Sequence, residues 1–166
     1  NPNMFLIDSV SSSEAIGLGQ SVSSSGAEEK TAHFSLGNGA QVISDDGHAV
    51  QAGSGERGRV AVPGNQPLGY YKDPEKSAAT FIEFEGVRYS MPGDYATIEA
   101  DGTITLLGRG SVCINTGGEK VFPEEVEEAL KTQGQVHDAV VVGVPDEKFG
   151  EAITAVVEIA PGASVE

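Results

Sequence analysis

The stretch from Gly108 to Glu127 constrains this chain more than any other. Leu106 and Leu107 close an extended run, and Gly108, Arg109, Gly110 and Ser111 follow as a flexible joint that carries one fixed cation. Val112, Cys113 and Ile114 resume an apolar, extended run. Gly117 and Gly118 admit a positive φ or the close approach of another backbone or a ligand. Pro123 then opens a helix, with Glu124 and Glu125 in its first turn, where the helix dipole favours anions. An arginine flanked by glycines between two β-rich halves reads as a hinge with a ligand contact built into it. The expected division is therefore residues 1–110 and residues 111–166.

A chain of 166 residues makes one ordinary domain or two small ones, and 39% hydrophobic residues suffice for a modest core. Acidic residues number 25 against 10 basic ones, a formal charge of −15. That excess argues against a nucleic-acid backbone or an anionic membrane as partner. It leaves nucleotides open, because a local cationic site can sit in an acidic field. Cys113 is the one cysteine, so no internal disulfide forms, which fits a reducing, cytoplasmic setting. No apolar run reaches the roughly 18 residues of a membrane span. Both ends look cut: Phe5-Leu6-Ile7 resembles a buried strand close to the start, and the chain stops just past another apolar run. The expectation is a fragment of a longer polypeptide, whose exposed edges invite pairing between chains, so a homo-oligomer is among the expected assemblies.

Ser9-Val10-Ser11-Ser12-Ser13-Glu14 offers hydroxyls followed by a carboxylate. Such a run can hold a phosphate and a divalent cation, or it can be a polar turn or helix cap. Residues 18–30 read as a Ser- and Gly-rich loop. Ala40, Val42 and Asp45-Asp46-Gly47 suggest a hairpin, Arg59 to Val62 a strand, and Pro63-Gly64 its end. Asp73 is expected to cap a short helix beginning at Pro74, with Tyr70 and Tyr71 as packing residues. Phe81 to Tyr89 reads as one strand. Asp94 follows Met91-Pro92-Gly93 as a turn residue or a ligand to a vicinal diol. Asp101-Gly102 closes a hairpin between Ala96-Ile98 and Ile104-Leu106. The helix from Pro123 runs to about Gln133 with Val126, Ala129 and Leu130 on one face and Gly134 beyond its end. Val136 to Val144 reads as a buried strand broken by Pro145-Asp146, and Ile153 to Ile159 as a second. His33, His48 and His137 have no ligand spacing, and no Ser/His/Asp constellation emerges. Cys113 is expected to be a buried apolar filler. The fold class is α+β, a β-rich part followed by a small α+β lobe.

The Gly108–Glu127 stretch resembles the hinge motif of the adenylate-forming superfamily, which includes acyl-CoA synthetases, luciferases and peptide-synthetase adenylation domains. The family pattern is Gly-Arg-x-Asp-x-x-Ile-Lys-x-x-Gly before a Glu-rich helix start; Gly108, Arg109, Ile114, Gly118, Glu125 and Glu127 fit it. Ser13-Glu14 is similar to the end of the family's Tyr-Gly-x-[Ser/Thr]-Glu motif, with Val10 and Ser11 replacing the usual aromatic and glycine. Gly69-Tyr70-Tyr71-Lys72-Asp73-Pro74-Glu75 resembles Gly-Tyr-x-x-x-Pro-Glu. Gly93-Asp94 resembles the end of Thr-Gly-Asp, and Pro145-Asp146 to Gly150-Glu151 resembles Pro-Asp-x-x-x-Gly-Glu. The version here looks most like a bacterial fatty-acyl or steroid-acid CoA ligase. On that resemblance the β-rich part is expected to be barrel-like and the small lobe truncated.

That resemblance implies a two-step ligase using ATP, Mg2+ and CoA on a carboxylic acid, fatty or steroid. A carboxylate attacks the α-phosphate of ATP and gives acyl-adenylate and pyrophosphate; the small lobe then rotates, and the CoA thiol attacks the adenylate, displacing AMP. In those terms Glu14 holds the metal, Ser13 donates to the α-phosphate, Asp94 fixes the ribose and Arg109 contacts ribose or phosphate oxygens. Gly118 lines the CoA passage and Ser111 stands at the hinge position, with Asn115 where lysine is usual. The family's phosphate loop ending in Pro-Lys is not in the sequence, nor is its late lysine, since the last lysine is Lys148. The chain alone is therefore expected to be inactive. Two rival expectations are an adenylation domain serving a carrier protein and a non-catalytic acidic interaction module that keeps the fold.

Overall fold

The structure, a computed structural model, describes residues 5–24 and 33–163; the side chains of Ser24 and Ser111 lie outside that description. It divides into two compact units, Asn1–Leu106 and Leu107–Glu166.

In the first unit alternating apolar residues and tight turns build a sheet. Its strands are β1 (Phe5–Val10), β2 (Gly19–Ser24), β3 (His33–Leu36), β4 (Gln41–Ile43), β5 (Arg57–Pro63), β6 (Phe81–Phe84), β7 (Val87–Ser90), β8 (Asp94–Ile98) and β9 (Ile104–Arg109), with one helix, α1 (Pro74–Thr80). They pair in the order β1-β2-β3-β9-β8-β5-β7-β6, with β4 added beside β5. The two-residue period of β5 puts Val60 and Val62 on one side and Ala61 on the other. Val60 and Val62 join Leu18, Phe34, Val42, Ala96 and Ile104 in one core, and Ala61 joins Ile43, Tyr89 and Met91 in a second. The sheet is therefore apolar on both faces, and loops carry the polar chemistry.

The turns follow their sequence signals. At Asp101-Gly102 the Glu99 N–H donates to the Thr103 carbonyl at 2.8 Å, and Gly102 takes φ +83°. Asp73 caps α1 by accepting from the Lys76 N–H at 3.0 Å, with Pro74 in the first turn. The Asp45-Asp46-Gly47 turn is present, but its return is a single bridge from Ile43 to Ala49; the long partner of β4 is β5.

Three expectations fail here. Phe81 to Tyr89 is a hairpin rather than one strand, because Glu85 at φ +50° and Gly86 at φ +77° reverse the chain and pair Phe84 with Val87. The expected loop over residues 18–30 contains β2, fully paired with β1 from Gly19 to Ser24; residues 25–30 lie outside the description. Phe5, Leu6 and Ile7 are 68%, 59% and 61% exposed rather than buried, because β1 ends the sheet and pairs only with β2 among the described residues.

The second unit contains β10 (Ile114–Thr116), β11 (Glu119–Val121), helix α2 (Pro123–Lys131), β12 (Val136–Asp146) and β13 (Gly150–Ile159). The strands pair antiparallel in the order β11-β10-β13-β12. Gly117 at φ +58° and Gly118 at φ +90° make the two-residue turn between β10 and β11, the conformation a tight hairpin needs and other residues resist. Helix α2 begins at Pro123 as expected and ends two residues early, at Lys131, with Thr132 rather than Gly134 as its cap. Ala129 is exposed, so the packed side runs through Pro123, Val126, Glu127 and Leu130. Strand β12 passes through Pro145 without breaking, and it is half-buried: Ala139 and Val141 are covered, while Val140, Val142 and Val144 are exposed. Cys113 is half-buried rather than enclosed. The α+β class holds, with two helices among thirteen strands in the described residues.

Candidate functional site

Ser13 and Glu14 stand at the tip of a tight turn after β1. Ser12 and Ala15 exchange backbone hydrogen bonds, at 2.9 Å and 3.2 Å, so Ser13 and Glu14 are the two central residues. The Ser12 hydroxyl also accepts from the Ala15 N–H at 3.1 Å. Ala15 and Leu18 are buried in the first core and pin the turn from below. Ser13 is consequently exposed and Glu14 half-buried.

Glu14 meets a residue from a distant loop. The Tyr70 hydroxyl donates to Glu14 Oε1 at 2.7 Å across 56 positions of sequence. Tyr70 does pack, as expected, with its ring 5.7 Å from that of Phe81, but its hydroxyl has this second use. No spacing in the sequence signals the pair. Tyr71 departs further from expectation: it is 88% exposed and packs little. The loop that carries Tyr70 is rigidly built. The Tyr70 N–H donates to Ser77 Oγ at 2.8 Å, and Ser77 Oγ donates to the Asp73 carbonyl at 2.6 Å. Lys76 Nζ lies 4.2 Å from the Tyr70 ring centroid.

Asp94 opens β8 and is half-buried, directly after Gly93 at φ +105°. Its neighbour Tyr95 turns inward, donating to Asp45 Oδ1 at 2.8 Å, while Arg59 Nε lies 3.4 Å from the same oxygen. The strand period thus sends Tyr95 to a structural ion pair and Asp94 to the other side.

Arg109, Ser111 and Gly118 belong to the second unit or its entry. Arg109 is exposed at the end of β9, and a short 3-10 turn, Gly110–Val112, follows; the Ser111 side chain lies outside the described residues. Gly118 is exposed at the hairpin tip, and a Cβ built there would meet nothing within 4 Å. Glu125 is exposed in the first turn of α2, whereas Glu127 reaches back to the sheet and accepts from the Val141 N–H at 2.8 Å.

A Ser44–His48–Glu56 chain escaped the sequence reading. Ser44 Oγ lies 2.9 Å from His48 Nδ1, and His48 Nε2 lies 3.1 Å from Glu56 Oε2. Ser44 is 2% exposed and its hydroxyl also accepts from the His48 N–H, so the arrangement fastens a turn and offers no reachable nucleophile.

Among the described residues no group of three or more His, Cys, Asp or Glu could hold a metal by itself. A single carboxylate such as Glu14 does fit Mg2+, which commonly takes one or two carboxylates together with substrate phosphates and water rather than a protein cage. No helix among the described residues is long and apolar enough to cross a membrane.

The family of the AMP-binding enzyme C-terminal domain matches residues 125–166. A 3-oxocholest-4-en-26-oate–CoA ligase of Rhodococcus rhodochrous is 52% identical over 168 residues, covering 99% of this chain and 30% of the relative. A medium/long-chain-fatty-acid–CoA/3-oxocholest-4-en-26-oate–CoA ligase of Mycobacterium tuberculosis is 52% identical over 97% of this chain and 30% of its own length. The crystal structure of apo MatB from Rhodopseudomonas palustris superimposes with a TM-score of 0.68 at 27% identity, over 96% of this chain and 32% of that one. The chain thus spans about 30% of the length of the curated relatives it matches.

Proposed function

We propose that this chain, which belongs to the adenylate-forming superfamily of AMP-binding enzymes, supplies part of the machinery of an ATP-dependent carboxylate–CoA ligase acting on a fatty or steroid acid. The observation that carries the proposal is the Ser13-Glu14 turn, whose backbone hydrogen bonds and buried Ala15 set an exposed serine beside a half-buried glutamate. The identity of the two ligases above over nearly the whole chain supports the substrate class.

Each residue has a physical task in the first step. The Ser13 hydroxyl donates to an α-phosphate oxygen, steadying charge that develops as the carboxylate attacks. Glu14 supplies a hard oxygen ligand for Mg2+. Bound there, the metal would neutralise phosphate charge and orient the leaving pyrophosphate. Asp94, ionised and acceptor-only, takes both ribose hydroxyls. Arg109 offers a permanently charged, forked donor to ribose or phosphate oxygens.

In the second step the lobe of residues 111–166 rotates about Ser111 relative to residues 1–110, the domain division carried by this proposal. Gly118 then lies along the CoA passage, where a side chain would obstruct the pantetheine arm. The setting is cytoplasmic, where ATP and CoA are available.

The test is direct. The complete gene product containing these 166 residues is given ATP, Mg2+, CoA and a medium-chain fatty acid or a steroid side-chain acid. Acyl-CoA appearing only when all are present supports the proposal; an acyl group delivered to a carrier protein but never to CoA replaces it with the adenylation-domain alternative. The isolated 166 residues, which contain no Pro-Lys phosphate loop and no lysine after Lys148, are predicted to form neither adenylate nor thioester.

A further inference from the structure

We infer that Tyr70 is a positioning residue for the Glu14 carboxylate, fixing the side chain that receives the divalent cation; the inference rests on the proposed metal role of Glu14. The Tyr70 hydroxyl donates to Glu14 Oε1 at 2.7 Å, a well-formed O–H···O hydrogen bond.

The two residues are built differently. The turn at Ser12–Ala15 fixes the Glu14 backbone, but backbone bonds do not choose among the rotamers of a three-torsion side chain. The Tyr70 phenol, by contrast, cannot wander. Its ring leans on Phe81 at 5.7 Å, and its N–H is held by Ser77, itself tied to Asp73 at the start of α1. Lys76, on the first turns of the same helix, sets its ammonium 4.2 Å from the ring centroid. A cation over the ring face withdraws electron density from the phenol and makes its hydroxyl a stronger donor. Tyr70 thus carries the rigidity of α1 across to the Glu14 carboxylate. Metal-ligating carboxylates are characteristically held this way by a hydrogen bond from outside the ligand set.

A purely structural tie between the two loops would use the same bond, and the two roles separate experimentally. In the complete gene product, Tyr70→Phe keeps the ring and removes only the donor. Metal affinity is read by electron paramagnetic resonance titration of Mn2+ with a non-hydrolysable ATP analogue, alongside the Mg2+ dependence of pyrophosphate release and the melting temperature. The expected result is about tenfold weaker Mn2+ binding. The half-saturating Mg2+ rises by the same factor, excess Mg2+ restores the rate, and KM for the acid is unchanged. Lys76→Gln weakens the metal in the same direction by a smaller factor, and decides the matter if Tyr70→Phe does not fold. Glu14→Gln is the reference. Loss of metal affinity in Glu14→Gln with wild-type affinity in both other variants overturns the role of Tyr70 and leaves that of Glu14 standing. Unchanged affinity in Glu14→Gln overturns the metal role of Glu14, and the inference with it.

Discussion

The Glu127 carboxylate accepts from the backbone N–H of Val141 at 2.8 Å, joining helix α2 to strand β12. Strand β12 ends its sheet among the described residues, so this N–H faces away from β13 and would otherwise lack a strand partner. A side chain here does the work of a neighbouring strand and blunts an exposed edge. Glu127→Ala should destabilise residues 107–166 by about 1–3 kcal/mol, the cost of stranding a partly buried donor. Glu127→Gln, which keeps an acceptor oxygen, should cost much less. Denaturant unfolding followed by amide exchange at Val141 checks both.

Gly108 has a different constraint. Its φ is +118°, and a Cβ there would collide with the carboxylate of Glu124, whose Oε2 is buried and has no hydrogen-bond partner among the described residues. Gly108→Ala should therefore cost about 1–3 kcal/mol from backbone strain, before any displacement of Glu124. The double variant Gly108→Ala/Glu124→Ala removes the collision but not the strain. It should recover only part of the loss in the same unfolding measurement.

Lys131 and Asp138 form an exposed pair with Nζ and Oδ1 3.3 Å apart. The Asp138 carboxyl is held below its ordinary pKa, first by the Ala139 N–H and then by Lys131; Lys131 is raised, first by its hydrogen bond to Asp138. A depressed carboxyl stabilises the fold above its unfolded pKa of about 3.9, and the gain disappears as pH falls through the lower folded value. The raised lysine stabilises below its unfolded pKa of about 10.4, and loses that gain as pH rises through the higher folded value. Asp138→Asn should flatten the acid limb of the stability profile of residues 107–166 and shrink the alkaline one. Both effects should fade at high salt, because the pair is exposed.

The Asp94 proposal makes a kinetic prediction. If Asp94 receives both ribose hydroxyls, Asp94→Asn exchanges two charge-assisted acceptors for one neutral acceptor. KM for ATP should rise about 10–100-fold, the equivalent of about 1.5–3 kcal/mol for hydrogen bonds to a charged group. KM for the acid should hardly move. Steady-state kinetics of the complete gene product with each substrate varied in turn checks this.

Local chemistry was legible wherever one residue type dictates one geometry. Asp73-Pro74 wrote the start of α1, Pro123 the start of α2 and Asp101-Gly102 a turn, and Gly117 and Gly118 take the positive φ they were expected to allow. Glu85-Gly86 was missed because a glutamate with positive φ is unusual, and alternation continues on both sides of the turn. Burial was misread in Phe5–Ile7 and in Val140, Val142 and Val144. An apolar run states what a strand could bury, whereas its place in the sheet decides what it does bury. Ser13-Glu14 was singled out through the family motif it resembles, because hydroxyls before a carboxylate read as readily as a polar turn. Its link to Tyr70 could not be singled out, because a contact over 56 residues depends on how β1 and the α1 loop are brought together.

The most direct measurement is acid-dependent pyrophosphate release by the complete gene product, with ATP and Mg2+, across a panel of fatty, aromatic and steroid acids, with and without CoA. The account predicts release with fatty or steroid acids, ending in acyl-CoA when CoA is present, and its near-abolition in Glu14→Gln. A folded protein that releases no pyrophosphate with any acid would contradict the ligase and point instead to a non-catalytic module that keeps the fold, with Val10, Ser111 and Asn115 as the departures to test.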